Sequence, residues 1–478
     1  MYYQKNLCGI ISAAVLLAAG FGTVSAAVNF PYPQERNYGN GTINASNASS
    51  TVLQNKFLAF LDSHYEEGTC NGKSPGPCAR IRFDDLDQTV SEGIAYGMIF
   101  MVYFSDNTTS YQSHFDKLWK YYNNFTNNNG LMNWRINGFS SVDGQGAATD
   151  AEFDAALALV MAYYQFGDEK YLTDARELLA KVRQHEIAAN NLHKPGDTRD
   201  SEKNPSYISP AAFEIFKEVE TDQAAKDKWD AVIAANYTLL RNNQHNTTGL
   251  WSDWCTAAGV QTRGEFSYDA IRTPWRLAWA NAWYGHADAK TMLGNLDSRW
   301  LHDKAATAIR DGINYSTGAM SGWSNSSFVG PLMNALSYTS SNQAKMDTYW
   351  TRLMSFNNEP YYSQALQIMT GLLGSGNMPN LKALEENGTS SVARNNVNVA
   401  GATGRTPAVS VRGRVLNVTG TNNTPMAVRL VNVQGKTVAR FTASGAGQFS
   451  IARIPAGRYI VETRVAGKRV GSSAVVVR

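Results

Sequence analysis

Apolar residues return at intervals of three and four through segment after segment of this chain, and that period limits the fold more than any other feature. Val52 to Tyr65, Gly93 to Phe104, Tyr111 to Phe125, Ala151 to Phe166 and Tyr171 to His185 all show it. Ala211 to Val219, Ala224 to Leu240, Pro274 to Tyr284 and Ala305 to Ile313 show it too. Apolar residues spaced this way line one face of a helix. Loops rich in Asn, Gly and Ser separate the segments, and strand signals between them are few. Many short-linked helices suit a ring of helical hairpins better than a layered sheet.

The pattern changes near the end. Met378 to Pro407 has little periodicity and holds Pro379-Asn380, Asn387-Gly388-Thr389-Ser390-Ser391 and Ala400-Gly401-Ala402-Thr403-Gly404, so 379–407 reads as a linker. Beyond it, Val409 to Val415, Ala427 to Val433 and Tyr459 to Val465 alternate apolar with polar. Alternation with Gly-containing turns predicts a small all-β, sandwich-like domain over 408–478. Charge divides at the same place. Arg405 to Arg478 contains 12 Lys plus Arg against the single acid Glu462, a net of +11, while the whole chain is +3. A basic domain of this kind suits an anionic cell-surface component or a sorting system. The plainer explanation is Arg placed on strands to prevent edge-to-edge association.

At the N-terminus, Lys5, the short apolar stretch Ile10 to Gly20 and Val24-Ser25-Ala26 form a signal peptide over 1–26. The stretch is too short to favour a membrane span, and no later segment is long enough. The mature chain is therefore expected to be exported, whether periplasmic, surface-attached or released, and nucleic acid is an unlikely partner for it. Cys70 and Cys78 flank a loop with Gly72, Pro75, Gly76 and Pro77, which reads as a loop-closing disulfide in an oxidising compartment. No further Cys or His stands at metal-ligand spacing. Cys255 reads as a buried thiol.

Three acids stand at helix starts beside unusual neighbours. Glu92 lies in Ser91-Glu92-Gly93-Ile94-Ala95-Tyr96-Gly97-Met98, with Ser91 as the expected cap. Asp150 lies in Ala148-Thr149-Asp150-Ala151-Glu152-Phe153-Asp154, with Thr149 or Asp150 as the expected cap. Three acids within five residues cannot all ionise cheaply if buried, so this cluster is either solvated or functional. Asp269 lies in Tyr268-Asp269-Ala270-Ile271-Arg272-Thr273-Pro274-Trp275-Arg276, where a nearby guanidinium would keep a carboxylate charged. Singly, each has an ordinary explanation: a carboxylate complementing a helix dipole, or a structural Asp–Arg pair. As a set they offer what glycosidic cleavage needs, one carboxyl to donate a proton and another to activate water or attack the sugar.

In order and spacing these segments resemble glycoside hydrolase family 8, from about Phe30 to Asn380. Ser91-Glu92-Gly93 with Tyr96-Gly97-Met98 is similar to the family's proton-donor segment. Leu131-Met132-Asn133-Trp134-Arg135 resembles a stretch that places an aromatic under a sugar. Ala148-Thr149-Asp150 with Ala158, Ala162 and Phe166 resembles the family signature. Asn204-Pro205-Ser206-Tyr207 and Tyr268-Asp269-Ala270-Ile271-Arg272 match two further segments. Glu152 and Ala155 depart from the signature, where Asp and Ile or Met are usual. The resemblance implies an all-α (α/α)6 barrel over 27–378 and an inverting hydrolase that needs no metal or organic cofactor. It implies Glu92 as general acid, Asp269 as general base and Asp150 as the residue holding the distorted sugar. Trp134, Tyr207, Tyr268 and Arg272 are then the expected substrate contacts, whereas Trp275 and Trp279 are expected to pack. The implied substrate is a β-1,4-linked polysaccharide: cellulose or mixed-linkage glucan first, xylan or chitosan on the same scaffold second. A non-catalytic carbohydrate-binding protein would more readily have lost the acid or the base.

Overall fold

The computed structural model describes residues 28–387 and most of 408–477; the expected signal peptide and residues 388–407 lie outside the described residues. Twelve helices form the larger part: α1 Ser50–His64, α2 Ser91–Tyr103, α3 Gln112–Asn124, α4 Thr149–Phe166, α5 Glu169–His185, α6 Pro210–Val219, α7 Gln223–Asn243, α8 Arg272–Tyr284, α9 Ala287–Arg299, α10 Ser326–Ala335, α11 Gln343–Ser355 and α12 Tyr361–Gly374. The even-numbered helices pack in sequence, α2 on α4, α4 on α6 and so on, and α12 returns to α2. Each odd-numbered helix packs outside an even one, with α1 against α12. This is an (α/α)6 barrel.

Burial explains which helices go inside. In α2 every residue except Glu92 is buried, and α10 is buried throughout. A helix apolar on all sides has to be covered on all sides. The outer α3 and α5 bury only one stripe, such as Phe115, Leu118 and Tyr122 on α3, and show their charged residues to water. The inner helices all begin at the same end of the barrel, so their N-termini and the loops before them share one mouth.

Three sequence expectations change here. The stretch 305–313 is not a helix but a single 3-10 turn, Ala306–Ala308, because Ile313 is drawn into extended pairing with Phe266 and Met320. The first residues of the expected linker are ordered against the barrel: Met378, Pro379 and Asn380 are buried, and a thirteenth described helix, α13 Leu381–Glu386, packs on α4. Finally, strands occur where few were expected. Tyr65–Cys70 (β1) pairs with Gly76–Ile81 (β2), and the Cys70–Cys78 disulfide staples this hairpin with its Cα atoms 5.8 Å apart. Gln88–Val90 (β3) pairs with Arg135–Asn137 (β4), which pairs with Ser141–Gly144 (β5). Trp254–Cys255 (β6) pairs with Gln261–Arg263 (β7). Free Cys255 is buried, and burial pushes its thiol up to about 12, too high for a nucleophile at neutral pH.

The C-terminal part holds seven antiparallel strands in one sheet: Ala408–Arg412 (β8), Val415–Thr419 (β9), Pro425–Asn432 (β10), Thr437–Ser444 (β11), Ala446–Ser450 (β12), Gly457–Val465 (β13) and Lys468–Val477 (β14). Their order is β14-β13-β10-β11-β12-β9-β8, and the two edge strands approach each other. Leu416 and Val418, Val428 and Leu430, Tyr459 and Val461, and Val475 and Val477 are buried two by two. The alternation read from the sequence is thus the inward face of a sheet that curls around its own core.

Candidate active site

The first turn of α2 places Glu92 at the barrel mouth, and neighbouring backbone rather than a side-chain cap makes that possible. Val90 occupies the cap position of α2 with no side-chain hydrogen bond, and the Ser91 N–H donates to the Trp134 carbonyl at 3.0 Å. Ala148 occupies the cap position of α4, and the Thr149 N–H donates to the Pro195 carbonyl at 3.3 Å. Ser91, Thr149 and Asp150 therefore do not act as the expected caps. Loop carbonyls satisfy these first amides, and the acidic side chains are left to face the cleft.

One guanidinium joins the three acids. Arg272, 3% exposed, donates from Nη1 to Glu92 Oε2 at 2.6 Å and to Asp150 Oδ2 at 2.7 Å. Its Nη2 donates to Asp269 Oδ1 at 3.1 Å. Exposure differs among the carboxyls: Asp150 is 5%, Glu92 16% and Asp269 34% accessible. Asp269 is the one that meets water. Its second oxygen accepts from Trp254 Nε1 at 3.0 Å. The Tyr361 hydroxyl at the start of α12 donates to Glu92 Oε1 at 3.2 Å. Gly93 makes that approach possible, since a Cβ there would stand 3.0 Å from the same hydroxyl.

Charge at this mouth is unbalanced, and protons make up the difference. Three carboxyls share the single charge of Arg272. Burial pushes Glu92 up to about 7, against the pull of Arg272 and with the push of Asp150. Burial also raises Asp150, again opposed by Arg272. One turn further along α4, Asp154 has its own cation. Arg276 grips it with two hydrogen bonds of 2.5 and 2.6 Å, both residues being about 1% exposed. Arg276 thus lies on the buried side of the site rather than beside Asp269. Glu152 has no cation: it accepts from the Tyr122 hydroxyl at 2.9 Å and lies near the equally buried Glu186. Burial, reinforced by the neighbouring carboxyls, pushes both well above the usual carboxylate range, toward the protonated form. The acidic run 150–154 is therefore neither solvated nor fully ionised.

The remaining expected contacts gather around this core. Tyr207, in the turn Pro205–Tyr207 before α6, stacks under Arg272, with the guanidinium carbon 5.3 Å from its ring centre. Trp134 sits just before β4, tied by backbone to Ser91, and its ring carries the Arg135 guanidinium at 4.5 Å. Tyr268 is 45% exposed. Trp275 and Trp279 are buried on α8 and stack on each other at 5.6 Å.

Four residues near the acids are not among those read from the single sequence. Trp254 and Tyr361 touch the carboxyls directly. The Tyr362 hydroxyl donates to the Tyr268 carbonyl. Asp253 Oδ1 accepts from the Ser267 and Ala270 amides at 3.1 and 2.8 Å, fixing the loop that carries Asp269. Only a tyrosine pair after Pro360 and a Trp flanked by Asp253 and Cys255 hinted at them. Among the described residues no His, Cys, Asp and Glu cluster fits a metal ion, and no helix is long and apolar enough to cross a membrane.

Comparison with known proteins agrees with this geometry. The model for "Glycosyl hydrolases family 8" matches residues 30–376. The chain is 31% identical to "Endoglucanase 2" of Ruminiclostridium josui over 392 residues, covering 78% of this chain and 82% of the relative. It is 33% identical to "Endoglucanase A" of Acetivibrio thermocellus over 390 residues, covering 76% and 77%. Among solved structures, a "Beta-1,3-1,4-glucanase" from Paenibacillus sp. X4 superposes with a TM-score of 0.66 at 23% identity, covering 73% of this chain and 98% of that one. At that identity the superposition speaks for the fold alone.

Proposed function

The chain belongs to glycosyl hydrolases family 8, and from that premise we propose that it is an exported endo-β-1,4-glucanase that cleaves internal bonds of cellulose or mixed-linkage glucan with inversion. One observation carries the reading: a single guanidinium shared by Glu92, Asp150 and Asp269 at the open end of the barrel. One positive charge cannot balance three negative ones in a half-buried site, so a proton stays. With a pKa of about 7, Glu92 is the group that holds it. In this reading Glu92 gives that proton to the glycosidic oxygen as the bond to the anomeric carbon breaks. Asp269 takes a proton from the water that attacks the same carbon. Asp150 hydrogen-bonds the sugar at the point of cleavage.

The shared guanidinium also limits distance. With both partners on its two terminal nitrogens, the bonded oxygens of Glu92 and Asp269 stand no more than roughly 8 Å apart, which admits the ~6.5–9.5 Å that inverting enzymes use to seat a water. The names of the relatives, endoglucanases covered over most of their length, support the glucan substrate. Xylan and chitosan are the runners-up. The barrel, with α13, accounts for residues up to 387. The net charge of the C-terminal strands supports attachment to an anionic surface, and the N-terminal segment supports export.

Two measurements test this. Reducing-sugar release from carboxymethylcellulose, lichenan, xylan and chitosan is compared side by side, and the first two are expected to dominate. Proton NMR of fresh cello-oligosaccharide products is expected to show the α-anomer first. Dominant turnover of xylan or chitosan removes the glucan assignment, and a β-anomer first removes inversion.

The pH dependence follows from Glu92. Its folded pKa is raised, so the proton is present below about 7 and lost above it. The kcat is therefore expected to fall about tenfold per pH unit well above 7, as the donor empties. A rate that stays flat to pH 9 contradicts the donor role.

A further inference from the structure

Of the eleven tryptophans in the chain, ten are buried or half-buried and one, Trp323, is 82% exposed. Exposed indole is unfavourable in water, so a ring left open on a loop whose backbone the fold anchors calls for an explanation. The anchoring is specific. The backbone N–H of Trp323 donates to Asp311 Oδ1 at 2.6 Å, and the backbone N–H of Asp311 donates to the Trp323 carbonyl at 2.9 Å. Gly322 packs so closely that a Cβ would stand 1.5 Å from Asp311 Oδ1, so only glycine lets the loop close there. The other oxygen of the same carboxylate accepts from the Tyr268 hydroxyl at 2.5 Å and from Asn325 Nδ2 at 3.2 Å. Asp311 thus holds the backbone of Trp323 and the hydroxyl of Tyr268 at once, and Tyr268 is the residue next to Asp269.

We propose that Trp323 is a stacking platform for a distal glucosyl unit, the outermost sugar-binding position of the cleft, set in place by Asp311. The chemistry fits a sugar better than a protein. A β-linked pyranose shows apolar C–H faces and polar edges, so one flat ring suffices to bind it. A protein partner needs a contiguous apolar patch. The residues beside Trp323 in the chain are small and polar, Ser321, Gly322, Ser324 and Asn325, and among the described residues the other exposed aromatic is Tyr268, linked to it through Asp311. Such small polar side chains suit hydroxyl groups at the sugar's edge. Aromatic rings already flank the acids: Tyr207 and Trp254 lie 6.4 Å apart, and Tyr268, linked to the Trp323 backbone through Asp311, lies 6.0 Å from Tyr362.

The inference rests on the glucanase reading, and its test keeps the two apart. The kcat/KM of the full chain is measured on cello-oligosaccharides from the trimer to the hexamer, for wild type, Trp323→Ala and Trp323→Phe. Wild type is expected to gain sharply at the length whose added sugar reaches Trp323. In Trp323→Ala that gain should shrink by roughly tenfold, the size of effect seen when a central aromatic contact is truncated. Trp323→Phe, which keeps a flat ring, should recover most of it. Asp311→Ala, which frees both the loop and the Tyr268 hydroxyl, should lose the same step on top of any loss common to every length. Since the indole is exposed, thermal unfolding of Trp323→Ala should match wild type. A loss of equal factor at every length, or no loss at any, overturns the platform while leaving the glucanase reading intact. Wild type inert on every oligomer removes the glucanase reading and the platform with it.

Discussion

Glu92→Gln should lower kcat on soluble glucan by about 10²–10⁴-fold, the range that a positioned general acid supplies. Gln keeps the shape of the side chain: its carbonyl oxygen can still accept from Arg272, and its amide N–H can donate to the Tyr361 hydroxyl oxygen instead of accepting from it. What it lacks is a proton to give. The loss should therefore depend on the leaving group. On a cello-oligosaccharide carrying a dinitrophenyl group the departing phenolate needs no proton, and Glu92→Gln should approach wild type. Asp269→Asn removes activation of the water, which every substrate requires, so it should lose activity on both. Stability should move the other way. The folded state favours protonated Glu92, so the group's contribution is full below about pH 4.3, the ordinary Glu value. It is lost as pH rises to about 7. Gln carries no such penalty, so the variant should unfold at a higher temperature than wild type at pH 8 and at a similar one at pH 4. Equal losses on both substrates would strip Glu92 of the acid role, and retained turnover on soluble glucan would do so outright.

Much of this site was legible because its parts sit on helix starts. An acid just inside a run of three-and-four periodicity has a known address, at the N-terminal end of that helix. Once the inner helices all begin at one end, Glu92, Asp150 and the Asp269–Arg272 pair must meet. What the sequence hid has two physical causes. The inner helices α10 and α12 are buried on nearly every side, and α10 holds Gly330-Pro331 while α12 holds Gly371 and Gly374, so neither shows an amphipathic stripe. Tyr361 and Tyr362 were hidden with them. The short strands β3 to β5 are too brief for alternation to register, yet they bind Trp134 to Ser91. The false helix at 305–313 is the converse case, in which local apolar spacing lost to pairing with Phe266 and Met320. The fate of Glu152 was also out of reach. Nothing in the local sequence shows that Glu186, at the far end of α5, lies against it.

Arg276→Met should destabilise the barrel by about 3–5 kcal/mol, the cost of leaving one buried charge without its partner. Arg276 and Asp154 are each about 1% exposed and meet through two short hydrogen bonds. With the guanidinium gone, Asp154 has no water to turn to. It must remain charged in an apolar surrounding or take up a proton, and both lower stability near neutral pH. The loss belongs to the widowed carboxylate rather than to the pair itself. Asp154→Leu combined with Arg276→Met should therefore unfold closer to wild type than Arg276→Met alone, because an apolar pair of similar volume carries no charge to desolvate. The coupling is read from a double-mutant cycle of denaturant unfolding. The cycle also reaches the chemistry. Asp154 is one of the charges that push Glu92 upward, after burial and Asp150. Removing it should bring the alkaline fall in kcat to lower pH in the double variant. If Arg276→Met unfolded within about 1 kcal/mol of wild type, the pair would be no better than an exposed one. The barrel would then not depend on balancing the acids of α4.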